Sequence, residues 1–264
     1  MEIPGKDFVE SLVEADGFRV RYMEAGEGPA LVMLPGSAGL ELSIAAELLA
    51  KDFRVIAFDP PGWGTSPENT RTKSLRDLAV TMAAAIDALG LKKYNLVGTS
   101  MGGTAALWVA ALYPDRVSSL ILEGSMSFRR GHWTPMDPEK VKGMMQTIAT
   151  MPPPPRKPWA NGEFIGEQFK RRFRVMSLVD SEFDDDLAAR IGKVNIPTLV
   201  LYGAGDMIVQ PSLGGAYTKI IPNSKSVTVE QAGHDIQGEQ PEVFADTVRD
   251  FVEQALAARA RHSS

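Results

Sequence analysis

The chain has 264 residues, 44% of them hydrophobic, enough to bury one large α/β domain and too many for a disordered polymer. A net charge of −5 without a long basic run argues against nucleic acid as a partner, and the count of 0 cysteines excludes disulfides, thiolate metal sites and cysteine nucleophiles together. The first ten residues carry charges and a proline where a signal peptide needs an apolar run, and no apolar stretch is long enough to span a bilayer. The expectation is a cytoplasmic protein that takes neither nucleic acid nor membrane as a partner.

In chain order, residues 9–13 and 18–23 read as two strands joined by a turn at Asp16-Gly17. Residues 30–34 form a short apolar run of the kind found in buried parallel strands, followed by the loop Pro35-Gly36-Ser37-Ala38-Gly39 and a helical segment over 41–50. Residues 53–58 repeat the strand pattern and lead into Asp59-Pro60-Pro61-Gly62-Trp63-Gly64-Thr65-Ser66. From the N-cap candidate Ser74 to the stop at Gly90, Leu75, Leu78, Ala79, Met82, Ile86 and Leu89 share one helical face. Then comes the most informative stretch. The β-prone Lys93-Tyr94-Asn95-Leu96-Val97 runs into Gly98-Thr99-Ser100-Met101-Gly102-Gly103, and residues 104–112 are rich in helix formers. A strand, a glycine-pinched serine and a helix match the Gly-x-Ser-x-Gly nucleophile elbow, which lifts the hydroxyl above the sheet edge.

Residues 117–122 form another apolar strand, and the strand–helix alternation implies a parallel sheet covered on both faces. The rhythm then breaks. Residues 125–190 hold Pro152-Pro153-Pro154-Pro155, several aromatics and the basic run Lys170-Arg171-Arg172-Phe173-Arg174, and read as a helical cap inserted between core segments 1–124 and 191–264. The proline run is a hinge candidate, and the basic run reads as a solvated helix face. Strand patterns return at 196–202, followed by Gly203-Ala204-Gly205-Asp206, and at 226–230, followed by Gln231-Ala232-Gly233-His234-Asp235. Val243, Phe244, Val248, Phe251, Val252 and Leu256 mark a closing amphipathic helix, and 259–264 reads as a frayed tail.

A serine hydroxyl becomes a nucleophile when a base takes its proton, and the base needs a carboxylate to fix its tautomer. Of the three histidines, His262 lies in the polar tail and His132 opens the cap, leaving His234 in a loop after a core strand. Between serine and histidine, Asp206 ends a strand as the carboxylate should. Glu123, at the end of the strand after the elbow helix, is an alternative acid, and Asp235, next to His234, is a weaker rival. The oxyanion donors expected are the backbone N–H groups of Met101 and Ser37.

With these residues in view, the chain resembles the α/β-hydrolase superfamily, in particular its capped esterases, lactonases and carbon–carbon hydrolases. The resemblance rests on Leu34-Pro35-Gly36-Ser37, the Asp59–Ser66 loop, the Ser100 elbow, Gly203-Ala204-Gly205-Asp206 and Gly233-His234. It implies a mostly parallel eight-stranded sheet with helices on both faces and an inserted cap. Pro35 is a departure, since the family usually has histidine there. Ser100 argues against the members with an elbow aspartate, the dehalogenases and epoxide hydrolases. The implied chemistry is hydrolysis of a small, largely hydrophobic ester or lactone through an acyl-enzyme, with no metal or organic cofactor. Carbon–carbon cleavage of meta-cleavage type, or cofactor-free perhydrolysis, is the alternative on the same triad, and a small-molecule receptor is a third reading. Homo-oligomer formation is left open. No P-loop is present, Ile208 occupies the third glycine position of a dinucleotide fingerprint after Gly203-Ala204-Gly205, and no His-Glu-x-x-His supplies a zinc site.

Overall fold

A computed structural model describes residues 5–40, 42–63, 66, 68–126, 128 and 184–263. Its eight strands are β1 (Val9–Ala15), β2 (Phe18–Ala25), β3 (Ala30–Leu34), β4 (Arg54–Asp59), β5 (Tyr94–Thr99), β6 (Val117–Glu123), β7 (Thr198–Gly203) and β8 (Ser224–Val229). They form one sheet in the order β1-β2-β4-β3-β5-β6-β7-β8. The β1–β2 and β2–β4 pairs are antiparallel and every pair from β4 onward is parallel. The β1–β2 connection is the expected two-residue turn, with Asp16 at φ 50° and Gly17 at φ 71°, the left-handed pair that matches strand twist.

The described helices are α1 (Ile44–Leu49), α2 (Leu75–Ala88), α3 (Met101–Leu112), α4 (Asp185–Ile191), α5 (Gly214–Ile220), α6 (Ile236–Glu239) and α7 (Pro241–Ser263). Ser74 caps α2 as its sequence position predicts, its hydroxyl accepting from the Asp77 N–H. Alternate residues of the central strands point into two separate cores. Val32, Ile56, Leu96 and Val200 pack with α2 and α3 on one face, and Leu31, Val55, Val97 and Leu199 pack with α1 and α7 on the other. Burial on both faces is why these strands read as continuous apolar runs. Among the described residues, no helix is long and apolar enough to cross a membrane.

The described edges of the expected insert pack on the core: the Tyr202 hydroxyl donates to the Ser125 carbonyl at 2.9 Å and the Tyr217 hydroxyl to Ser125 Oγ at 2.8 Å. Leu187 and Ile191 of α4 are buried beside α3. The rest of the insert, with His132, the proline run and the basic run, lies outside the described residues. Helix α5 lies in a stretch with no helical signal, and α7 runs through the expected tail to Ser263, with Arg259 donating to the Val117 carbonyl at 3.4 Å.

Candidate active site

Strand β5 ends at Thr99 and α3 begins at Met101, so the chain reverses through Ser100 alone. Ser100 has φ 52° and ψ −117°, a conformation costing on the order of 1–3 kcal/mol for a residue with a side chain. Its N–H donates to the Glu123 carbonyl at 2.8 Å. The surrounding backbone leaves no room for larger residues. A Cβ on Gly98 would lie 2.6 Å from the Gly102 oxygen, and one on Gly102 would strike the carbonyls of Pro35 and Leu34, the latter at 2.5 Å.

The loop after β3 packs against this turn, and a Cβ on Gly36 would sit 3.2 Å from Ser100 Cβ. The Leu40 N–H donates to Asp59 Oδ1 at 3.3 Å, so the loop after β3 is tied to the end of β4. Pro35, the departure from the family pattern, stands just past Leu34, the last β3 residue paired with β5. The loop therefore keeps its course without an N–H at that position. Ser37 lines a cavity of about 380 Å³ together with Ser100, Thr99 and His234. Met101 opens α3, where the first N–H groups have no intrahelical acceptor.

His234 follows β8 and Asp206 follows β7. His234 Nδ1 lies 2.8 Å from Asp206 Oδ2. Asp206 Oδ1 accepts the N–H groups of Ile208 and Val209, both at 2.8 Å, and the side chain is fully buried. The turn after β7 thus holds one oxygen and aims the other at the imidazole. With Asp206 ionised, the Nδ1–H tautomer is favoured and Nε2 is left as the proton acceptor. Burial alone would lower the His234 pKa, but the Asp206 hydrogen bond and the negative charges of Asp206, Glu123 and Asp235 outweigh it, and the pKa is raised. Gly124 faces the ring closely: it has φ 50°, and a Cβ there would be 3.0 Å from His234 Cε1 and Nδ1.

Glu123, the alternative acid, is fully buried and directs its carboxylate elsewhere. Its Oε1 accepts the Gln237 N–H at 2.9 Å, and its Oε2 accepts the Thr99 hydroxyl at 2.7 Å and Gln237 Nε2 at 2.8 Å. Burial pushes its pKa up to about 7, against the pull of the Thr99 and Gln237 donors. Asp235 also points away from the ring pair, capping α6 by accepting the Gly238 N–H at 3.2 Å. Thr99, Gln237 and Ser43, whose hydroxyl donates to Gln237 Oε1 at 3.0 Å, complete a cluster that the sequence reading missed. Ser43, which falls inside the helix expected over 41–50, is the N-cap of α1, which starts at Ile44. Among the described residues, no group of three or more His, Cys, Asp or Glu is placed to hold a metal ion.

The family model for the alpha/beta hydrolase fold matches residues 29–157 and 165–241. The chain belongs to the α/β-hydrolase fold family. As an α/β hydrolase it is 29% identical to a 2-hydroxy-6-oxononadienedioate/2-hydroxy-6-oxononatrienedioate hydrolase of Burkholderia vietnamiensis, an alignment covering 93% of this chain and 94% of the relative. It is 28% identical to a 2-hydroxy-6-oxo-6-phenylhexa-2,4-dienoate hydrolase of Comamonas testosteroni over 90% and 92% of the two chains. Among solved structures, a serine hydrolase involved in carbazole degradation aligns with TM-score 0.71 and 25% identity over 94% and 99% of the chains. This α/β hydrolase therefore has the sheet that the resemblance implied, and its relatives match the carbon–carbon alternative better than the ester reading.

Proposed function

We propose that this α/β hydrolase cleaves the carbon–carbon bond of a 2-hydroxy-6-oxodienoate-type ring-fission product, with Ser100 as nucleophile, His234 as base and Asp206 as the carboxylate that orients it. The strained serine and the His234–Asp206 pair support a serine hydrolase but serve ester and carbon–carbon cleavage alike. The choice of bond rests on the relatives of that activity, which align along about nine-tenths of both chains.

In such a substrate Ser100 Oγ adds to the C6 ketone as His234 Nε2 takes its proton, and the N–H groups of Met101 and Ser37 hold the resulting oxyanion. Transfer of the 2-hydroxyl proton to C5 gives the C2 ketone; the C5–C6 bond then breaks, its electron pair passes through the conjugated chain to the C2 oxygen, and that oxygen receives the proton from His234. Water, activated by the same histidine, then frees the acid from Ser100. An ester needs the same groups and differs in expelling an alkoxide. In either case His234 carries the proton between Ser100, the departing group and the attacking water.

The test is the loss of visible absorbance of 2-hydroxy-6-oxo-6-phenylhexa-2,4-dienoate, run beside p-nitrophenyl acetate and butyrate with the wild type and S100A. The expected result is a kcat/KM for the dienoate at least about 100-fold above either ester, abolished in S100A. Faster ester turnover would return the ester or lactone reading, and saturable binding of the dienoate without turnover would favour a receptor.

A further inference from the structure

Glu123 occupies a position that the proposed chemistry leaves unused. It is an ionisable side chain with 0% exposure, one strand from the nucleophile, and three donors converge on it. The donors come from both sides of the reacting pair. Thr99 is the residue before Ser100, and Gln237 lies three residues after His234 on α6. The backbone repeats the link: the Glu123 carbonyl accepts the Ser100 N–H at 2.8 Å, and Gly124 lies against the His234 ring. Ser43 extends the cluster to α1, since its hydroxyl donates to Gln237 while accepting the Ala46 N–H at 3.2 Å.

All three groups bonded to the Glu123 carboxylate are donors, so the ionised acid satisfies every one of them. A neutral amide in its place would set its own N–H₂ against a Gln237 donor in either orientation, the backbone N–H on the Oε1 side or Nε2 on the Oε2 side. The loop carrying His234 is therefore fastened to β6 by a buried carboxylate, and the same carboxylate fastens the residue before Ser100.

We propose that Glu123 is a positioning residue for the Ser100–His234 pair, fixing the base relative to the nucleophile through Gln237 and Thr99 and adding a second negative charge near the imidazole. This rests on the assignment of Ser100 and His234 made above. The ionisable groups facing Glu123 are His234 and Asp235, both from the loop after β8. Thr99 from β5 and Gln237 from α6 are neutral donors. Asp206 faces His234 from the end of β7 and keeps its bonds in every variant below.

The experiment measures the rate of Ser100 labelling by a fluorophosphonate as a function of pH, a readout independent of which bond the enzyme cleaves. E123Q is expected to label about tenfold more slowly than wild type, with its pH midpoint moved down because a negative charge near His234 is gone. Q237M keeps that charge and loses the side-chain clamp, so it labels more slowly with a midpoint close to wild type. The exchange variant E123Q/Q237E puts the carboxylate on the other side of the same hydrogen bond and is expected to recover to within about threefold of wild type. Folding is monitored by Tm, and Q237M, on a half-buried side chain of a four-residue helix, carries the test if E123Q does not fold. Wild-type rates and midpoints in E123Q, or in Q237M where E123Q does not fold, would overturn the positioning role alone. A slow E123Q with an unmoved midpoint, or an exchange variant that recovers nothing, would reduce Glu123 to a structural residue. Failure of the wild type to label at Ser100 would remove the underlying reading as well.

Discussion

Replacing Asp206 by asparagine separates the two things its carboxylate does. Oδ1 accepts two N–H groups, from Ile208 and Val209, at 2.8 Å each, and Oδ2 faces His234 Nδ1 at 2.8 Å. An asparagine that points its NH₂ at Ile208 and Val209 loses both backbone bonds in a buried site, about 1–3 kcal/mol each. The other orientation keeps both bonds and turns the NH₂ toward His234. That orientation should win, and it makes Nδ1 an acceptor and puts the imidazole proton on Nε2, where a base is needed. Loss of the correct tautomer lowers kcat by about 10⁴ in serine triads, equivalent to roughly 5.5 kcal/mol of barrier. D206N is therefore expected to keep its Tm within a few degrees while dienoate turnover falls by about 10³–10⁴. D206A, which leaves both N–H groups without their acceptor, should lose stability too, by about 2 kcal/mol or more in urea unfolding. Turnover by D206N within tenfold of wild type would refute the assignment of Asp206 as the carboxylate that orients His234.

Three further outcomes follow from the charges and the packing around Ser100. The proposed base His234 must be neutral to act and its pKa is raised, so the acid limb of kcat/KM should lie above pH 6.5, and D235N, which can still cap α6, should move that limb down; an unmoved limb would discount Asp235 as a contributor. Glu123 has a folded pKa of about 7 against 4.5 for the free group, so its contribution to stability is full below pH 4.5 and is lost as pH rises through 7. The Tm advantage of wild type over E123Q should accordingly shrink between about pH 5 and pH 8, and a constant difference would mean that Glu123 does not titrate there. G102A would press a methyl group against the backbone carbonyls of Leu34 and Pro35, neither able to rotate away, and should lower stability by about 3 kcal/mol or prevent folding; a Tm within about 2 °C of wild type would contradict the tight elbow.

What could be read from the sequence and what could not divide along the range of the interactions involved. The β3–β7 strands were legible because both faces of each are buried, and the elbow because its turn needs Gly98, Ser100 and Gly102 within five residues. Helix α5 was not, since Gly-Gly-Ala-Tyr-Thr-Lys-Ile has weak helical propensity. Its first glycine is held by tertiary packing, because a Cβ on Gly214 would collide with the Ser226 hydroxyl, and Tyr217 anchors the helix in the core. The tail of α7 likewise takes its order partly from a contact between Arg259 and Val117, 142 residues away.

Glu123 and Asp206 make the same point within the site. Each is an acid at or just beyond the carboxyl end of a core strand, and position alone gave both as partners for His234. Their surroundings separate them. Asp206 is held by N–H groups two and three residues further along its own turn, so its aim is set locally and survives as a sequence pattern. Glu123, longer by one methylene, reaches Thr99 on the adjacent strand and Gln237 at a separation of 114 residues. No pattern in the chain encodes that choice, because the donors that capture Glu123 come together only after β5, β6 and α6 have packed. A strand-end carboxylate can thus be recognised as a candidate from sequence, but whether it orients the base or holds the elements on either side of it is decided by the donors that the fold brings to it.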